Sequence, residues 1–307
     1  MSQPDATDGK TLLAGPRMAR HKPMEGSTMR WRYKLASGVL GIGAVGVVTA
    51  VVPAAVPAFG AQASVTTVAH AAPAVRPPRG KPAFDATFSG SHLNTTTWAT
   101  CYWWAGPKGC KNFPPAGQSQ EYEWYLPSQD RVSGGVVHLV AQRKKTVGTT
   151  KAGKRAVYGC RSGMLTTFRS FKFEYGFVQV VANIPHANGL WPALWLDAAN
   201  VKSRTEIDMV ESWGVNQETA SFFHPATGKT SRARYRPSLT RGWKTYSLSW
   251  TRSRLSFYVG SRLVLTVKKN VPHQRMYFLA NVAEYLPAKP GRCAGQLMIR
   301  SVKIWKG

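Results

Sequence analysis

TEIDMVESWG, Thr205 to Gly214, places three carboxylates, Glu206, Asp208 and Glu211, within six residues. The chain of 307 residues holds only 14 acidic residues against 41 basic ones, so this crowding needs a cause. Ile207, Met209 and Val210 between the acids are apolar, which suits a strand with one buried face. On a regular strand, residues two apart share a face. Glu206 and Asp208 then point together and Glu211 points away. A β-bulge adds one residue and reverses the direction of everything after it. A bulge at Met209-Val210 returns Glu211 to the face of the other two, while Ile207 and one bulge residue face a core.

Three carboxylates on one face repel each other and raise at least one pKa. That arrangement suits a retaining glycosidase, which needs an ionised nucleophile and a protonated acid about 5–5.5 Å apart. An edge strand displaying acids is one alternative. A calcium site is another, but calcium ligands usually come from loops rich in Gly, Asn and Asp rather than from a strand of Ile, Met and Val.

Outward from this stretch the chain reads as short strands between turn residues. Phe84–Phe88, Val136–Gln142, Met164–Phe168, Tyr175–Ile184, Met276–Val282 and Leu297–Trp305 are candidates. Trp243–Thr251 alternates, with Tyr246, Leu248 and Trp250 against Thr245, Ser247 and Ser249, as a half-buried strand does. Leu255–Val267 carries Gly260-Ser261 between two apolar runs, the signature of a type II′ hairpin. No capped helical stripe stands out. The expected fold is all-β, a two-sheet antiparallel sandwich.

The N-terminal region reads differently. Met1–Lys34 is polar and basic, and Leu35–Ala61 is apolar without a charge. Residues 1–63 are expected to be a secretory signal, with an uncleaved membrane anchor as the alternative and Met29 as a second possible start. Residues 64–82 are expected to form a Pro-rich linker, and 83–307 one domain. Export makes the four cysteines two disulfides. Of three pairings, Cys101 with Cys110 closes a short loop, which leaves Cys160 with Cys293. From Ser64 onward 34 Lys and Arg face 11 Asp and Glu, a formal charge near +23. Such a surface attracts anionic polymers, an acidic cell-wall polymer among them. No basic-aromatic motif marks specific nucleic-acid binding. A monomer is expected.

The acid stretch and its flanks together resemble glycoside hydrolase family 16. Gly189–Leu196 (GLWPALWL) precedes the ExDxxE pattern. FDATFSGSHLNTTTW (Phe84–Trp98), SQEYEWY (Ser119–Tyr125) and SGMLTTFRSFKFEYGFVQVVANIP (Ser162–Pro185) are similar to family segments. ASFFHP, RGWKTYSLSWT and LANVA follow in family order. The resemblance implies a concanavalin-like β-jelly roll with a concave cleft. It implies Glu206 as nucleophile, Asp208 as assisting acid and Glu211 as acid/base. It sets Trp191 and Trp195 on the cleft floor, stacking on sugar rings. Trp213 and His224 are candidates to line the cleft, His224 serving a structural hydrogen bond equally well. Glu121, Trp124 and Tyr125 match a cleft segment, and Asn281 is placed with the substrate-contacting residues. Glu123 reads equally as a solvent-facing acid.

Three departures bear on cofactor and substrate. Many members hold calcium with an Asp in the last strand, where this chain has Arg300; no cofactor is expected to be required, with a structural calcium as the alternative that this departure puts in doubt. Glu284-Tyr285 follows Asn281 where members often have a Gly pair. The segment Cys101–Cys110, with Trp103 and Trp104, is an insert. The function implied is a secreted endo-β-glycosidase acting on a polysaccharide, with a β-1,3- or mixed-linkage glucan leading. Alternatives are a transglycosylase, a hydrolase of a sulfated or acidic galactan, and a non-catalytic carbohydrate-binding protein.

Overall fold

The alternation seen along the chain becomes sixteen strands in the computed structural model, which describes residues 75–106, 109–115, 121–213, 218–285 and 292–307. In chain order they are β1 (Phe84–Thr87), β2 (Glu123–Tyr125), β3 (Asp130–Ser133), β4 (Val136–Thr149), β5 (Arg155–Ser162), β6 (Met164–Thr166), β7 (Gly176–Asn183) and β8 (Leu190–Ala198). There follow β9 (Glu206–Trp213), β10 (Glu218–His224), β11 (Ser231–Tyr235), β12 (Trp243–Thr251), β13 (Arg254–Val259), β14 (Arg262–Val267), β15 (Met276–Glu284) and β16 (Ala294–Lys306). The expected leader and most of the linker lie outside the described residues.

Two sheets result. One runs β14-β13-β12-β7-β16-β4-β5-β2, with β1 against β16 and β3 against β4. The other runs β11-β10-β9-β8-β15-β6. Among the described residues every ladder is antiparallel except β2 with β5, which is parallel. The fold is the expected two-sheet β-sandwich, with that one parallel ladder as a correction. The Gly260-Ser261 turn joins β13 to β14, with Val259 opposite Arg262 and Gly260 at φ +59°, as the first position of a type II′ turn requires.

The inner faces of both sheets meet in one core. Tyr246, Leu248 and Trp250 of β12, Val178, Val180 and Ala182 of β7, and Leu194 and Leu196 of β8 are all buried there. Each fully buried Val or Leu contributes about 1.5–3 kcal/mol. The opposite face of the six-stranded sheet carries a second, smaller cluster of Tyr102, Tyr125, Met164, Tyr277 and Leu279, with Trp103 and Trp104 packed on it. The inserted Cys101–Cys110 segment therefore builds an aromatic wall over that sheet. Disulfides join Cys101 to Cys110 and Cys160 to Cys293, with Cα–Cα distances of 5.3 and 5.9 Å.

Candidate active site

β9 lies inside the six-stranded sheet, between β8 and β10. Against β8, Glu211 pairs with Ala193 and Val210 with Leu194, but Asp208 pairs with Trp195, so Met209 is the extra residue. Against β10, Glu211 pairs with Ala220 and Asp208 with Phe222, so Ser221 faces both Met209 and Val210. This is a β-bulge at the expected place. Ser221 Oγ donates to the Met209 carbonyl at 2.7 Å, satisfying a backbone acceptor that the bulge takes out of the ladder. Ile207, Met209 and Val210 all enter the core. Glu206, Asp208 and Glu211 line one cleft of about 580 Å³.

Trp191, Trp195, Trp213, His224, Glu121 and Asn281 border the same cleft. Trp191 Nε1 donates to Glu211 Oε1 at 2.7 Å. Trp195 Nε1 donates to Asn281 Oδ1 at 2.8 Å, and Asn281 Nδ2 donates to the Tyr125 hydroxyl at 2.8 Å. His224 Nε2 stands 3.4 Å from Asp208 Oδ2, while its Nδ1 meets Thr230 Oγ1 at 3.0 Å.

Two expected cleft residues sit elsewhere. Tyr125 is 1% exposed and supports Asn281 from below rather than lining the cleft. Trp124 alternates to the other face of β2. It lies against Tyr158 and lines a separate cavity of about 880 Å³ with Trp98 and Asp130. Gly148 makes room for it, since a Cβ there would meet the indole at 2.4 Å. Glu123 is fully buried, not solvent-facing. It accepts hydrogen bonds from Asn112 Nδ2 and from the Glu284 and Tyr122 backbone amides.

Sequence reasoning missed Asp197, Tyr102 and Phe222, all in the cleft wall. Asp197 lies opposite Glu206 in the ladder and accepts from the Tyr277 hydroxyl at 2.6 Å. Its position two residues after Trp195 was the available signal, because the period of a strand puts both on one face. The Tyr102 hydroxyl donates to Glu121, 2.8 and 2.9 Å from its two oxygens.

Burial and mutual repulsion push the acids toward their neutral forms. Glu211 is raised from 4.5 to about 8, by burial first and then by the charge of Glu206; the Trp191 hydrogen bond pulls the other way. Burial, then Asp208, raises Glu206, and His224 opposes it. Burial, then Glu211, raises Asp208, while a hydrogen bond with Glu206 lowers it. Folded Glu211 thus keeps a proton that the unfolded chain releases above pH 4.5. The folded state binds more protons between about pH 4.5 and 8, so stability falls as pH rises through that window. Glu211→Gln is expected to flatten this slope. Melting temperatures of both proteins at pH 5 and pH 8 check it; equal pH dependence would contradict the assigned shift.

Glu206, Asp208 and His224 bring ligand-type atoms within 4.8 Å of one another and are the described residues that could hold a cation. The calcium position implied by resemblance does not fit one. The Arg300 guanidinium is there, 4.0 Å over the Trp243 ring.

The model of glycosyl hydrolases family 16 matches residues 118–297. The chain belongs to this family. Two relatives from Rhizobium meliloti (strain 1021) are named endo-1,3-1,4-beta-glycanases, EglC and ExsH. They are 30% identical over 217 residues and 28% over 219; each alignment covers 65% of this chain and 45% of the relative. The chain thus spans a little under half the length of these relatives. The catalytic domain of an endo-1,3-beta-glucanase (laminarinase) from Thermotoga petrophila RKU-1 shares the fold, with a TM-score of 0.60 at 21% identity, over 73% of this chain and 96% of that one. In this family-16 chain all three acids of the ExDxxE stretch are present and gathered in one cleft.

Proposed function

We propose that this chain is an exported, endo-acting hydrolase of a β-linked glucan that works by double displacement with retention of configuration. The observation that carries this reading is the bulge in β9, which gathers Glu206, Asp208 and Glu211 in one cleft. Ionised Glu206 attacks the anomeric carbon while protonated Glu211 gives its proton to the departing glycosidic oxygen. Glu211, now ionised, takes a proton from water, and that water displaces Glu206. Asp208 shares a proton with Glu206 and keeps it from being trapped in either charge state. Support for a β-glucan comes from the names of the relatives. Export is supported by the uncharged run Leu35–Ala61 and by the two disulfides.

The test is proton NMR of the first products of a β-1,3-glucan digest. The β-anomer is expected to appear first and the α-anomer only by mutarotation. An initial α-anomer would overturn the double displacement.

Two further results are expected. Glu211 has to be protonated to act as acid, so kcat/KM should fall along an alkaline limb near pH 8. A rate that holds steady to pH 10 would remove Glu211 from the acid role. Trp195 borders the cleft, is tied at Nε1 to Asn281, and would stack on a sugar face. Its loss removes about 0.5–1.5 kcal/mol of aromatic contact, so Trp195→Ala should raise KM up to about tenfold with a smaller effect on kcat. Unchanged KM would take Trp195 out of the binding floor.

A further inference from the structure

The concave face of the six-stranded sheet does not end at the acids. In antiparallel ladders directly opposite residues share a face. One row runs Ala193, Glu211, Ala220, Arg234; the next runs Trp195, Asp208, Phe222, Arg232. Both rows end in an arginine on the edge strand β11, where both side chains are exposed. The intervening side chains on β11 turn the other way: Tyr235 packs on the core, and its hydroxyl meets Ser221 Oγ at 3.2 Å. β11 therefore presents only arginine toward the cleft along these rows.

The geometry points to β11 as an accessory subsite for an anionic substituent on the glycan, a carboxylate or a sulfate, read by Arg232 and Arg234. This rests on the glycosidase reading and deepens it, since it names the substrate class. The middle of the cleft is crowded with Glu121, Asp197, Glu206, Asp208 and Glu211. An anionic group on a sugar over those acids would be repelled. The β11 edge lies two strand spacings from β9, about 10 Å, so a charge borne by a flanking sugar meets arginine instead. The guanidinium fork suits two-point contact with either group. Phe222, between the acids and Arg232, lines the cleft and lies edge-on to Trp213 with ring centroids 5.2 Å apart.

The experiment compares neutral β-1,3-glucan with carboxymethylated and sulfated β-1,3-glucan at low ionic strength. Three proteins are used: wild type, Arg232→Ala/Arg234→Ala, and Arg131→Ala/Lys144→Ala. The last removes the same charge from the ten-stranded sheet and controls for the general basic character of the chain. In wild type the anionic glucans should be the better substrates. The β11 variant should lose about ten- to hundredfold in kcat/KM on them and keep its rate on neutral glucan; the control should lose little on either. The two anionic arms tell a carboxylate site from a sulfate site. Equal losses on neutral and anionic glucan, or equal losses in β11 variant and control, would overturn the proposal. If no glucan is hydrolysed, the glycosidase reading fails separately. Electrophoretic retardation in gels containing each glucan then decides. Retardation by anionic glucan that the β11 variant loses and the control keeps supports the subsite, and any other pattern removes it.

Discussion

Glu206→Gln is expected to leave essentially no hydrolysis of β-1,3-glucan, and Glu211→Gln to lower turnover by about 10²–10⁴. The two losses have different causes. Without Glu206 no covalent glycosyl intermediate forms, whatever the leaving group. Without Glu211 the leaving oxygen departs unprotonated, which a better leaving group tolerates. An aryl β-glucoside oligomer with an acidic phenol should therefore recover its first step in Glu211→Gln and not in Glu206→Gln. Asp208→Asn, which removes only the proton-sharing partner, should retain a measurable fraction of the rate. Steady-state turnover on the glucan, and the burst of phenol released from the aryl substrate, test all three. Near wild-type turnover in either Glu variant would break the assignment.

Removing the Cys160–Cys293 disulfide, as Cys160→Ala/Cys293→Ala, should cost about 2–5 kcal/mol of stability. The two residues lie 133 apart in sequence and both are fully buried in the main core. The bond closes a long loop, and loops of that length restrict the unfolded chain strongly. It also joins β5 to the segment leading into β16. Urea unfolding of the double variant, compared with wild type under non-reducing conditions, measures the difference. A change below about 1 kcal/mol would show that the core alone holds these segments together.

Much of the site was legible from a family resemblance, one strand periodicity and one exception to it. The resemblance gave Trp191 and Trp195, and alternation along β8 would have added Asp197, two residues after Trp195. The uneven spacing of the acids called for the bulge before any coordinates did. Other features were not readable locally. Glu123 looks like a surface acid, yet one of its partners, the Glu284 amide, lies 161 residues away. Trp124 and Tyr125 belong to one family-like segment, but neighbours on a strand point to opposite faces, so only one of them could face the cleft side. Nothing local announces β11, because Ser231–Tyr235 has no apolar stripe, as befits an edge strand exposed on one face. β5 carries an exposed Arg155 and an exposed Val157, so its outer face shows no clean polar alternation, and part of its pairing comes from β2 in parallel.

The bulge also makes chain length in β9 a matter of parity. Counted from Asp208, an odd offset brings Glu211 to the cleft only because one residue is surplus. Deleting Met209 would remove that surplus: Glu211 would stand two positions after Asp208 and still face the cleft, on a strand with regular pairing. Regular pairing with no residue removed would instead turn Glu211 inward, where its charge would have to be neutralised or expelled. A strand transplanted between relatives must therefore keep offset and bulge together, odd with the surplus residue or even without it.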